Sequence, residues 1–133
     1  MPQVTVHVNQ VGNATSEGVA RNHSVYIDRP ESKGGADKGA MGGEYLLLAL
    51  GGCFNSNLLA AIAARESDIS DVKIEIVGTL ESAPSRFSAV EMTVSAETSD
   101  RAQLEKLVTI SERACIVANT LKNSVDLTVK VAD

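Results

Sequence analysis

Apolar and polar residues alternate near both ends of the chain and change to a helical period between them. From Gln3 to Gln10, Val4, Val6 and Val8 alternate with Thr5, His7 and Asn9, the pattern of a half-buried strand. Gly12-Asn13 and Ser16-Glu17-Gly18 read as turns, and His23 to Asp28 reads as a second extended piece in which Val25 and Ile27 alternate with polar or amphipathic residues. Two or three strands in a meander follow from this, ended by Pro30. Residues 31–43, ESKGGADKGAMGG, are rich in Gly and charge and have no period. Loops of about 12 residues or more in compact domains are functional or mobile; a flexible connector is the equal alternative.

From Gly42 to Arg65 the sequence GGEYLLLALGGCFNSNLLAAIAAR carries almost no charge. At helical spacing, Leu46, Leu47, Leu50, Cys53, Phe54, Asn57, Leu58, Ala61 and Ile62 trace one stripe, while Leu48, Ala49, Leu59, Ala60 and Ala63 fill the opposite side. A membrane span needs roughly 20 apolar residues in a row. Here Glu44 heads the stretch, Gly51-Gly52 and Asn55-Ser56-Asn57 interrupt it, and Arg65-Glu66 close it. The reading is a core helix, apolar nearly all round, on which the rest of the chain is organised.

Beyond it, Val72 to Leu80 alternates as a strand, Pro84-Ser85 turns the chain, and Phe87 to Glu97 returns with Val90, Met92, Val94 and Ala96 on one face, giving a β-hairpin. Asp100 is the predicted N-cap of a helix through Ala114 that buries Leu104, Leu107, Val108 and Ile110. Cys115 to Lys122 continues as a separate helical turn or second helix. Val125, Leu127, Val129 and Val131 alternate again and are expected to close a sheet. The order βββ-α-ββ-αα-β segregates strands from helices, so the fold class is α+β with a mainly antiparallel sheet. One sheet covers only one side of a helix that is apolar all round, which predicts a homodimer in which two such helices meet.

Composition narrows the picture. The 133 residues make a single domain spanning 1–133. Aromatic residues are 3% with no Trp, so Val, Leu, Ile and Ala fill the core and little surface is left for stacking bases. A net charge of −5 without any Lys/Arg run argues against nucleic acid, whose phosphates demand cations. The start, MPQVTVHVNQ, has neither a basic head nor an apolar run, so no export signal and no membrane partner are expected. Two cysteines in such a chain point to a reducing, cytoplasmic compartment, where thiols are more often redox-active or metal-binding than structural. His7 and His23 form no close-spaced ligand set with them, so neither metal nor cofactor is predicted.

Cys53 follows Gly51-Gly52. If the helix breaks there and a new segment starts, its positive end would favour the thiolate. Cys115 follows Arg113 at a helix junction. A low-pKa thiol backed by a second one suits a peroxidatic and resolving pair; two small buried hydrophobes are the even alternative.

Taken together, GGEYLLLALGGCF, the upstream DRPESKGGADKG, the strand RFSAVEMTV and the ending ERACIVANTLKNSVDLTV resemble the OsmC/Ohr family of osmotically inducible and organic-hydroperoxide-resistance proteins, from His23 onward. The resemblance implies an intertwined homodimer in which two sheets wrap a pair of central helices, with active sites at the subunit interface. It implies thiol-dependent reduction of small hydrophobic organic hydroperoxides, with Cys53 matching the peroxidatic and Cys115 the resolving cysteine. Glu44 matches the carboxylate that positions an arginine beside the reactive sulfur; Arg29 is the first choice for that arginine and Arg21 the second. The reductant it implies is an external, lipoyl-type dithiol. Leu46, Leu50 and Phe54 are expected to line the site. Gly43 and Ile116 stand where the family usually has proline, and the N-terminal region is short. The rival reading is a non-enzymatic protein of the same fold that binds a small hydrophobic ligand or senses redox state. In an unbroken helix Glu44 and Cys53 would lie ~13 Å apart along the axis and face opposite ways. Either an arginine reaches between them, the helix breaks at Gly51-Gly52, or Glu44 serves the other subunit.

Overall fold

The computed structural model describes residues 1–133. It divides into two compact units, 1–46 and 47–133. In the first, β1 (His7–Gln10), β2 (Ser16–Ala20) and β3 (His23–Ile27) form an antiparallel meander in the order β1-β2-β3. Val8 pairs with Gly18, and Gly18 in turn with Val25. The predicted first strand is therefore shortened to its last four residues. Ser16-Glu17-Gly18, read as a turn, is strand instead, and the chain reverses at Arg21-Asn22 with Arg21 at φ 56°. A two-residue hairpin loop favours positive φ at its centre; an arginine there gives no sequence signal, whereas Gly18 gave a misleading one.

The Gly-rich stretch is an ordered loop. Asp28 is buried, and its carboxylate accepts from the Thr15 hydroxyl (2.7 Å) and the backbone N–H groups of Arg29 (2.7 Å), Ala36 (3.3 Å) and Lys38 (3.2 Å). A 3-10 turn over Glu31–Lys33 ends at Gly34 in the left-handed region, φ 87°. The loop then runs back along β3 so closely that a Cβ on Gly39 would overlap the Tyr26 carbonyl. Two of its glycines are thus there for close backbone approach and left-handed geometry.

Helix α1 (Gly42–Ala64) follows. The Glu44 carboxylate accepts from the Met41 N–H at 2.8 Å, the reach-back half of a capping box. The helix does not break at Gly51-Gly52. Gly51 is buried, and a Cβ there would overlap Ile76 Cδ1, so the missing side chain is what lets helix and hairpin touch. That hairpin pairs β4 (Ser70–Glu81) with β5 (Arg86–Glu97), setting Ile74 opposite Val94 and Ile76 opposite Met92. Helix α2 (Arg101–Ala114) starts as the sequence predicts, Asp100 Oδ1 accepting from Gln103 N at 3.0 Å. Helix α3 (Ile116–Lys122) is separated from it by Cys115 alone.

Leu50, Phe54, Leu58 and Ile62, one residue per turn of α1, form the core with Ile69, Leu104, Leu107, Cys115 and Ala118. Of the predicted inward set of α2, Leu104 and Leu107 are buried and Val108 and Ile110 half-buried, while the third buried place goes to Ser111, whose hydroxyl donates to the Leu107 carbonyl. Helix α1 is long and apolar enough to cross a membrane, yet this edge of it is a packed core. Its other face, with Leu48 at 59% and Leu59 at 50% exposure and open space where a Cβ on Gly52 would stand, is bare in the single chain. The expected last strand is absent: residues 124–133 have no regular structure, and Val125, Leu127, Val129 and Val131 are exposed. Alternation says which side chains share a face, but a strand forms only where an edge is offered to its backbone.

Candidate functional site

Cys115 is at once the last residue of α2's cap and the first of α3's. Its N–H donates to the Glu112 carbonyl (3.2 Å), and its sulfur accepts from the Ala118 N–H (3.4 Å). Its extended backbone, φ −78° and ψ 115°, turns the chain from one helix to the next. It is fully buried, at 0% exposure, whereas Cys53 on α1 is half-buried.

The two thiols, remote in sequence, are near enough for each to shift the other's titration. The backbone N–H groups of Val117 and Ile116, in the first turn of α3, lie near enough to Cys53 to favour its thiolate. These N–H groups have no partner within their own helix, so a thiolate is a suitable acceptor. Val117's N–H holds the Cys53 thiol below its usual range; the Cys115 thiol and Ile116 N–H act the same way and burial opposes them. Cys115 is pushed up, first by burial, then by the negative sulfur beside it, against the Ala118 N–H. The pair is thus asymmetric: Cys53 is the thiol that more readily gives up its proton and Cys115 the one that keeps it.

This replaces the sequence expectation for how Cys53 is activated. No new helix begins at Gly51-Gly52; the donors come from α3. The sequence offered no sign of them, because any non-proline residue supplies a backbone N–H and only tertiary packing aims it.

The other candidates are placed as follows. Glu44 is bound to its own helix cap and, being nine residues from Cys53 on an unbroken helix, faces away from it. Arg29 is exposed, anchored through its backbone N–H to Asp28, and its guanidinium is in no ion pair. Arg21 is exposed at the β2–β3 turn. Leu50 and Phe54, expected to line the site, are in the core instead, while Leu46 is 40% exposed. They follow the stripe that meets the hairpin, and Phe54, the larger of the chain's apolar side chains there, gains most from full burial. His7 and His23 are exposed on β1 and β3. An open groove of about 860 Å³ between β5 and α2, lined among others by Met92, Val94, Arg101, Leu104 and Val108, includes neither cysteine.

A central helix covered on one side by an antiparallel hairpin, with a two-helix segment returning a second cysteine to the first, defines an α+β fold of the OsmC type. The OsmC-like protein family model matches residues 35–130, and the chain belongs to that family. The fold is similar to that of an OsmC like protein from Mycoplasma pneumoniae (13% identity, TM-score 0.79, covering 91% of this chain and 88% of that one). It is similar also to an organic hydroperoxide resistance protein OsmC from Legionella pneumophila (15%, TM-score 0.64, 95% and 93%) and to an organic hydroperoxide resistance protein from Elizabethkingia anophelis (16%, TM-score 0.64, 92% and 89%). No curated protein matches the chain by sequence.

Proposed function

We propose that the protein is a cysteine-based peroxidase that reduces organic hydroperoxides to alcohols. The observation that carries this reading is the asymmetric sulfur pair, a half-buried Cys53 stabilised as thiolate by the Val117 and Ile116 N–H groups with a protonated Cys115 beside it. Two of the similar structures bear the name organic hydroperoxide resistance protein, which supports the same chemistry. The Cys53 thiolate attacks the distal oxygen of ROOH, the O–O bond breaks to leave a sulfenic acid, and the alkoxide takes a proton from solvent and departs as ROH. The sulfenic acid on Cys53 then condenses with the Cys115 thiol, releasing water and leaving a disulfide that an external dithiol of lipoyl type reduces. No cofactor is required.

Arg29, fixed at its backbone and free at its guanidinium, is the proposed cation at the thiolate, and Glu44 its orienting carboxylate. Because Glu44 and Cys53 face opposite ways on one helix, the proposal places Glu44 at the site of a second copy. A homodimer in a reducing, cytoplasmic setting is therefore part of the reading, supported by the bare apolar face of α1 and the unpaired segment 124–133.

The test is thiol loss on adding one equivalent of cumene hydroperoxide. Both free thiols should disappear rapidly with formation of an intramolecular disulfide, and Cys53→Ser should abolish the reaction. Slow and equal reaction of the two cysteines would instead favour a non-enzymatic ligand-binding or redox-sensing protein.

A further inference from the structure

The first turn of α3 is held by sulfur. Helix α3 is two turns long, and only Ala118 in it is buried. The Ala118 N–H goes to Cys115 Sγ at 3.4 Å, and the Ile116 and Val117 N–H groups lie near enough to Cys53 to favour its thiolate. One of the donors that a helix start must satisfy from outside itself, the Ala118 N–H, is thus met by an atom that would join in a disulfide. A Ser or Asp cap is chemically inert; a cysteine cap is not. At its other end α3 is tied by the Lys122–Glu112 ion pair and through Asn119 Nδ2, which donates to the Arg113 carbonyl at 3.1 Å. Beyond Asn123 the chain has no regular structure.

We propose that α3 is a redox-sensitive element: joining Cys53 to Cys115 removes the sulfur cap of α3 and loosens its first turn in the oxidised protein. Two thiols lose two protons and two electrons to the oxidant, and one S–S bond forms. The sulfurs close to about 2.05 Å with a dihedral near ±90°. Cys115 Sγ is drawn toward α1 and away from Ala118 N. At the same time Cys53 loses the negative charge that the Ile116 and Val117 N–H groups were solvating. A disulfide sulfur is a poor acceptor for all three. The inference rests on the pair proposed above as catalytic, but it requires only that the two sulfurs can be joined, by whatever oxidant.

Diamide separates the two ideas, since it takes two electrons from a dithiol, becoming the hydrazine, and needs no peroxide site. Backbone hydrogen exchange of the full-length protein, read at Ala118 and Asn119, is compared before and after diamide. The oxidised protein should exchange there roughly tenfold faster, the scale of a lost cap, while amides in the β4–β5 hairpin stay unchanged. Cys115→Ser, which keeps an oxygen cap and forms no disulfide, should remain protected under both conditions. Cys115→Ala should exchange fast under both. Unchanged or slower exchange at Ala118 once the disulfide is present would overturn the proposal while leaving the peroxidase reading untouched. So would failure of diamide to produce an intramolecular disulfide. Fast exchange after diamide in a protein inert to cumene hydroperoxide would uphold it and remove the peroxidase.

Discussion

Cys53 and Cys115 differ in what surrounds them far more than in sequence context. Cys53 lies near N–H groups of α3 and Cys115 is enclosed, so their thiols shift in opposite directions. The contribution of one donor can be read with Ile116→Pro. Ile116 is the first residue of α3 and 75% exposed, a position where proline fits the helix and removes only an N–H already lacking an intrahelical partner. The Cys53 thiol should titrate higher, seen as a shift to higher pH in the rate of iodoacetamide labelling followed by mass spectrometry; an unshifted profile would exclude the Ile116 N–H as a donor. Asp28 is a second residue whose role only the structure discloses. Its carboxyl is held below the usual range, first by the Thr15 hydroxyl and then, against burial, by the N–H groups of Arg29, Lys38 and Ala36. A folded-state value lower than the unfolded one contributes stability that is full above the unfolded pKa, about 4, and is lost as pH falls through the folded one. Denaturant midpoints measured from pH 6 down to pH 3 should therefore fall more steeply in the wild type than in Asp28→Asn. Asp68, lowered by the Ser99 and Thr98 hydroxyls and the Ser99 N–H, adds a slope of the same sign that persists in the variant. From sequence, Asp28 is one more acid ahead of a Gly-rich loop, and nothing local tells that four donors converge on it.

Among the elements, α1 carries the contrast between its two glycines. Gly51 faces Ile76 and Gly52 faces open space, although they are adjacent. Gly51→Ala puts a methyl against Ile76 Cδ1, the flexible end of a side chain, so a destabilisation of about 1 kcal/mol, the low end for overpacking, should appear in urea unfolding. Gly52→Ala should instead stabilise an isolated chain by roughly 0.5–1 kcal/mol through helix propensity. Should two α1 helices meet across this face, the same methyl would weaken their association, and the sign of the effect would depend on protein concentration. Leu58→Ala, at a fully buried site on the opposite edge, should cost about 2–5 kcal/mol regardless of concentration. The hairpin, α2 and the start of α3 were legible because each has a strong local signature: alternation in Val90, Met92 and Val94, an Asp100 cap, a stripe through Leu104 and Leu107. The β2–β3 turn was not, since Arg21 adopts a left-handed φ through the pairing of the flanking strands rather than through its own preference.

On the scale of the whole molecule, two apolar surfaces stand open in one chain, the Leu48 and Leu59 side of α1 and the segment from Val125 to Val131. The proposed homodimer predicts that Leu59→Lys, at a half-exposed position outside the core cluster, leaves the monomer's secondary structure intact but converts the wild-type sedimentation coefficient to that of a single chain at micromolar concentration. A wild type that sediments as a monomer would remove the second copy from the site and with it the proposed role of Glu44. Periodicity and capping residues in the sequence by themselves determined the order of elements as far as α3, the α+β class and the central helix, because those properties depend on neighbours a few positions apart. Which way the two glycines face, that Leu50 and Phe54 belong to the core, and that the start of α3 comes near Cys53 were decided only by the tertiary structure. Backbone donors carry no side-chain identity, and the distance between two sulfurs on separate helices is set by how those helices pack, which no local pattern encodes.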